Sequence, residues 1–135
     1  MPSPLRVVID TNVLVFALWS ADGKPADTLG MIPTERIQPY LNHAILTEYR
    51  TVLVRPKFRF SGMVTQQILA LFNEYAITIS ASAAPAKTKD PADQVFYDVA
   101  CSADAWLITG NMKHFPPDKR VVSPAQFLEL QHEDF

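Results

Sequence analysis

Hydrophobic and polar positions follow two rhythms along this chain, one of period two and one near 3.6. Leu5-Arg6-Val7-Val8-Ile9 is a short β-branched run that ends at Asp10 and predicts a strand. The polar corner Asp10-Thr11-Asn12 separates it from the run Val13 to Leu18, which reads as an apolar helix bounded by Asp22-Gly23-Lys24-Pro25. Residues 25–32 predict one helix, stopped before Pro33. Ile37 to Leu41 is a strand candidate that Pro39 confines to an edge or a bulge, since proline cannot donate to a ladder.

From His43 to about Val54 the pattern is helical: Ile45, Tyr49, Val52 and Leu53 share one face, and Pro56 ends the segment. Residues 63–75 predict a second amphipathic helix, with Val64, Ile68, Leu71, Phe72 and Tyr75 in its stripe and Thr65 and the glutamines outside. Residues 76–80 alternate like a strand, and 81–89 read as a loop. Asp90-Pro91-Ala92-Asp93 then opens a helix that runs to about Ser102, with Asp90 as its cap, Pro91 in the first turn and Asp93 near the positive end of the dipole. Ala105 to Ile108 is a buried-strand candidate ending at Thr109-Gly110-Asn111. Residues 120–122 predict a last strand, 124–130 a last helix, and Glu133-Asp134-Phe135 a frayed tail. Strands that alternate with helices imply an α/β domain: a central parallel sheet of about four to five strands in a three-layer α/β/α arrangement. One domain spans residues 1–135 on this reading, because the length leaves too little chain for two.

Composition narrows the chemistry. At 48% hydrophobic the chain builds a core and is not a disordered tail. A lone Cys101 excludes an internal disulfide framework and a cysteine-based zinc site. No apolar run reaches the roughly 18–20 residues that span a bilayer, and the start lacks a signal-peptide pattern, so the expectation is a cytoplasmic protein without a membrane partner. Twelve Lys and Arg against 14 Asp and Glu give a charge of −2, which argues against binding nucleic acid by bulk charge alone. Any basic surface is then local, and the acids need a reason for their places.

That reason emerges from where the acids fall. Sites in open parallel sheets form beyond the carboxyl ends of the strands. Asp10 ends the first strand, Asn111 follows the Trp106–Thr109 strand, and Asp93 opens the helix leading to it. Glu48 lies mid-helix with no cation at its i±3 or i±4 positions. Converging carboxylates stay ionised only around a cation, and hard ions such as Mg²⁺ or Mn²⁺ take oxygen ligands. The three histidines are too scattered for a zinc signature, and the chain has neither a glycine-rich phosphate loop nor a nucleophile elbow.

Four segments together resemble the PIN domain family, specifically its bacterial branch of toxins from toxin–antitoxin systems. They are Val7-Val8-Ile9-Asp10-Thr11-Asn12-Val13-Leu14-Val15, the stretch from Ile45 through Glu48 to Phe58, the stretch from Asp90 through Asp93 to Ala100, and the stretch from Ala105 through Asn111 to Phe115. The resemblance implies a metal-dependent ribonuclease using Mg²⁺ or Mn²⁺. It assigns Asp10, Glu48 and Asp93 as metal-binding acids, with Asp10 central. Thr11 and Asn12 would steady Asp10 by hydrogen bonds. Many relatives carry an aspartate where this chain has Asn111, which implies weaker metal affinity here. The implied partners are RNA, a cognate antitoxin covering the crevice, and a second copy of the chain.

Blander readings stand beside these. Asp90 is first a helix cap and second a fourth acid at the rim. Asp93 alone is ordinary dipole chemistry, and Glu48 alone a solvated helix residue. Asp98 reads as solvated, His114 as a surface histidine, and Phe96, Trp106 and Phe127 as core. Thr109 and Asn111 lie at the rim. Arg55, Lys57 and Arg59 form a basic knot after the Glu48 helix, and Lys87, Lys89 and Lys113 lie near the rim; all suit a phosphate backbone or plain solvation. Two other functions remain open. One is a haloacid-dehalogenase-like phosphohydrolase with Asp10 as nucleophile, Thr109 as a phosphate-binding hydroxyl and Lys113 as a charge clamp. The other is a module that binds RNA or a partner without cutting.

Overall fold

The structure is a computed structural model that describes residues 3–133, with the side chains of residues 131–133 left aside. Strand β1 (Leu5–Ile9) is followed by α1 (Thr11–Trp19), α2 (Lys24–Gly30), β2 (Ile37–Leu41), α3 (His43–Leu53), α4 (Gly62–Tyr75), β3 (Ile77–Thr78), α5 (Pro91–Ala103), β4 (Trp106–Ile108), β5 (Val121–Val122) and α6 (Pro124–Glu133). Short 3₁₀ turns at Pro56–Phe58 and Met112–His114 interrupt the connections. The expected frayed tail lies largely outside the described residues.

All five strands are parallel, in the order β3-β2-β1-β4-β5. The chain winds from β1 outward to β3, then returns to place β4 on the other side of β1. The strand order therefore reverses between β1 and β4, and a crevice opens beyond their carboxyl ends. The register pairs Ile9 with Ile108, so Asp10 and Thr109 are the next residues out on adjacent strands. Helices α1, α2 and α6 pack together, as do α3, α4 and α5, with α5 against β1, β2 and β4. This is the three-layer α/β/α arrangement expected. Val7, Val8 and Ile9 are buried without alternation, as a strand covered on both faces requires.

Proline at position 39 does not mark an edge: β2 lies inside the sheet, between β1 and β3. Leu5 N–H donates to Arg36 O, and Ile79 N–H donates to Leu41 O. By alternation the odd residues of β2 face β3, so the donor that Pro39 lacks would point that way. β3 pairs only from Tyr40↔Ile77 onward, and no ladder bond is lost.

Other boundaries shift for local reasons. Asp10 caps α1, so Thr11 and Asn12 belong to its first turn and not to a loop. Helix α2 ends at Gly30, two residues short of the expected end, in a run of turns through Glu35. Strand β3 has only two residues of the expected five. Thr65 is buried, so α4 packs through Thr65, Ile68, Leu69 and Phe72. Asp98 is not simply solvated. Its Oδ1 accepts from Ala84 N (2.9 Å) and Gln94 Nε2 (2.9 Å), while Gln94 Oε1 accepts from Thr88 N (2.7 Å) and Ser102 Oγ accepts from Ser82 N (3.0 Å). Gln94, Asp98 and Ser102 recur every four residues, so one face of α5 fastens the 81–89 loop by its backbone. Phe96 and Phe127 are core as expected, while Trp106 is half-buried against it.

Candidate active site

Asp10 is 7% exposed, an unusual place for a carboxylate, and its two oxygens are both used. Thr11 N–H donates to Oδ1 at 2.8 Å, from the first turn of the helix that Asp10 caps. Thr109 Oγ1 donates to Oδ2 at 2.8 Å, across the β1–β4 register. Thr109 Oγ1 in turn accepts from Asn111 N at 3.0 Å. Burial raises the Asp10 carboxyl, the Thr109 bond opposes this, and the Asp93 charge adds to it; Thr11 and His114 oppose it further, and the net result is an acid pushed up to about 6.

Asp93 stands in the first turn of α5, three residues after its cap Asp90. Its Oδ2 is buried with no hydrogen-bond partner among the described residues, 3.4 Å from His114 Nδ1 in an electrostatic contact. Burial raises the Asp93 carboxyl, His114 opposes this, and Asp90 adds to it. Asp90 itself holds Ala92 N at 2.9 Å and is exposed, in keeping with its reading as a cap. His114 is exposed, as a surface histidine would be, and its ring also stands against Asp93 and Asn111. Its Nε2 lies 2.9 Å from Asn111 Nδ2, so the ring is held between Asn111 and Asp93. The 3₁₀ turn at 112–114 brings Asn111 and His114 together three residues apart; that spacing was the only local signal for it.

Two second-rank assignments change. Thr11 holds Asp10 through its backbone, while its own Oγ1 is buried without a partner among the described residues. Asn12 does not bond Asp10; its Oδ1 accepts from Gly110 N at 3.0 Å and pins the opposite turn. Thr109 supplies the side-chain bond that Asn12 was expected to give.

Glu48, the third acid that the resemblance assigns, stands on α3. It is half-buried and makes no hydrogen bond or ion pair among the described residues. Its neighbour Tyr49 is fully buried and donates its hydroxyl to Ile9 O, the residue before Asp10, so α3 is fastened to the end of β1. Among the described residues no three of His, Cys, Asp and Glu stand close enough to hold a metal ion. Asp10 and Asp93 do fit a hard cation in chemistry: two mutually repelling carboxylates, one with an orphaned buried oxygen, with hydroxyl and amide groups beside them as well as the His114 imidazole. Arg55, Lys57 and Arg59 are exposed, and Lys89 and Lys113 line one hollow with Met112 and Phe115. No helix among the described residues is long and apolar enough to cross a membrane.

The sequence model of the family described as PIN domain matches residues 6–113. The match includes Asp10, Glu48, Asp93 and Asn111 and stops one residue before His114. The chain is also similar to an uncharacterized protein of Methanocaldococcus jannaschii, at 33% identity over 110 residues, covering 79% of this chain and 71% of that one.

Proposed function

Because the chain belongs to the PIN domain family, whose fold is of nuclease type, we propose that it is a divalent-metal-dependent endoribonuclease. The observation that carries this reading is the coupling of two buried or half-buried carboxylates, Asp10 and Asp93, each raised by burial. Such a pair is costly unless a cation lies between its members.

The proposed ligands are Asp10 and Asp93 for a Mg²⁺ or Mn²⁺ ion, with Glu48 approaching from α3. The bound ion would neutralise the carboxylates, favour ionisation of water and offset charge on a phosphodiester. This chain's own groups set the geometry. Thr109 and Thr11 N–H fix the Asp10 carboxylate in one orientation. His114 Nδ1 faces Asp93 Oδ2 at 3.4 Å, and Asn111 fixes that ring. The cations Arg55, Lys57, Arg59 and Lys113 would take the phosphate backbone.

A haloacid-dehalogenase-like reaction loses its support here. The Thr109 hydroxyl it needs for phosphate is engaged by Asp10, and the family match points elsewhere. A specific observation does favour a second reading. With Asn111 an amide and no three of His, Cys, Asp and Glu grouped for a metal among the described residues, a module that binds RNA or a partner without cutting fits as well. Within the nuclease reading, a toxin held by a cognate antitoxin is the role that best suits the four motifs, and a homodimer is the assembly proposed with it.

The test is incubation of the purified protein with labelled RNA, and with DNA of the same sequence, in Mn²⁺ and after EDTA. Cleavage of RNA that EDTA abolishes supports the proposal. Tight RNA binding without cleavage in any divalent metal selects the binding module.

A further inference from the structure

A band of exposed and half-exposed aromatic rings begins at Phe16, six residues along α1 from Asp10. Helix α1 is buried on most of its surface, with Thr11, Val13, Leu14, Val15 and Ala17 all inside. Its open side carries rings: Phe16 is 43% exposed and Trp19 57%. Asn12, Phe16 and Trp19 stand at i, i+4 and i+7, so one stripe runs outward from the site. Trp19 is about 13 Å along the helix axis from the Asp10 cap. The stripe touches the site itself. A Cβ on Gly110 would stand 3.2 Å from Phe16 Cε2, and Gly110 N–H is the donor to Asn12.

The connection after α3 meets this stripe. Trp19 lies edge-on to Phe58, with centroids 5.5 Å apart, and 6.5 Å from Phe60. Phe58 and Phe60 stack at 5.5 Å with their planes 17° apart. Cations alternate with these rings at Arg55, Lys57 and Arg59, all exposed and none in an ion pair among the described residues. Lys57 Nζ sits 5.1 Å above the Phe58 ring. Arg59 adopts a left-handed backbone conformation (φ 56°), which turns the chain sharply between the two stacked rings.

Open rings beside free cations match the two halves of an unpaired nucleotide: a flat base and a charged phosphate. A protein interface also takes aromatic rings and Arg but is poor in Lys, so what favours a strand here is Lys57 over the Phe58 ring between two arginines that make no ion pair among the described residues. We propose that Phe16, Trp19, Phe58 and Phe60, with Arg55, Lys57 and Arg59, form a stacking platform that takes unpaired bases of the strand reaching the acid pair. The platform selects single strands over duplex, whose bases are already stacked. It rests on the reading of this site as one that takes nucleic acid.

The test uses the Asp10→Asn protein, so that the probe is not cut, and a fluorescein-labelled single-stranded RNA followed by anisotropy. Adding Trp19→Ala or Phe58→Ala is expected to weaken binding between about five- and a hundredfold, with Trp19→Phe recovering most of it. Binding of the matching duplex is expected to be weaker and insensitive to these changes. In a Trp106→Phe background Trp19 is the only tryptophan, and its emission is expected to be quenched when the strand binds. Thermal unfolding of each variant checks that the fold is intact. Unchanged single-strand affinity in both alanine variants, or unmoved Trp19 emission, overturns the platform. So does sedimentation showing that Trp19→Ala splits a dimer while strand affinity stays the same. The two proposals fail separately. Metal-dependent cleavage by the unsubstituted protein with an insensitive platform leaves the nuclease reading standing; ring-dependent binding without cleavage leaves the platform standing alone.

Discussion

The Thr109 hydroxyl donates to Asp10 Oδ2 at 2.8 Å, from the strand next to the one that Asp10 ends. The bond opposes the rise that burial forces on Asp10 and holds its carboxylate ready as a ligand. Thr109→Val keeps the shape and removes the donor, and it also deprives Asn111 N–H of its acceptor. Mn²⁺ affinity measured by calorimetry is expected to fall about 10–100-fold, the usual cost of losing a group that orients a ligand. Thr109→Ser is expected to stay near the original.

Asp10 gives the metal-free protein a pH dependence with a definite sign. Its carboxyl lies at about 6 in the fold against an ordinary 3.8, so the folded chain holds this proton more tightly than the unfolded chain does. Its contribution is most favourable below 3.8, is lost as pH rises between 3.8 and about 6, and leaves a penalty on the order of 3 kcal/mol at most above that. Urea unfolding in EDTA is therefore expected to show Asp10→Asn more stable than the parent at pH 7.5, with the gap closing toward pH 4. Saturating Mn²⁺ is expected to close it at pH 7.5 as well. A gap independent of pH would show that Asp10 is not the group responsible.

Asn111 is the position where the resemblance implies an aspartate in many relatives. Asn111→Asp places a further carboxylate beside Asp10 and Asp93 and breaks the amide's contact with His114 Nε2. The expected outcome is two-sided: a lower melting temperature in EDTA, from like-charge repulsion, and tighter Mn²⁺ binding. Differential scanning calorimetry with and without metal reads both. A melting temperature that falls equally in each condition would place Asn111 outside the ion's reach.

Tyr49→Phe removes the buried hydroxyl that ties α3 to Ile9 O. It leaves that carbonyl without this donor, and the loss of stability is expected to be about 1–3 kcal/mol by urea unfolding. Because Glu48 is the residue before Tyr49 on α3, the same variant is expected to blunt any contribution of Glu48 to Mn²⁺ affinity. Glu48→Gln is expected to weaken that affinity less than Asp10→Asn does.

Much of this architecture was legible because local signals agreed with one another. A β-branched run ending at Asp10, and Asp90-Pro91 opening a helix, each place an acid at the start of a helix, and the helix–strand alternation implies the parallel sheet. What escaped depends on register and on contacts between distant segments. That Thr109, and not Asn12, holds Asp10 follows from pairing Ile9 with Ile108, which no periodicity announces. Pro39 read as an edge because its missing donor counts only if a neighbour stands opposite, and β3 begins one residue too late to need it. Asp98 looked solvated because its partners are backbone groups of a loop with no regular structure. The aromatic band was invisible for the same reason: Trp19 meets Phe58 and Phe60 across some forty residues of chain.

Cleavage of a labelled RNA by the parent protein and by Asp10→Asn, each in Mn²⁺ and in EDTA, bears most directly on the central claim. The parent is expected to cut in Mn²⁺ and fall silent in EDTA, while Asp10→Asn, folded by circular dichroism, cuts in neither. Undiminished cleavage by Asp10→Asn, or cleavage by the parent that survives EDTA, would contradict it.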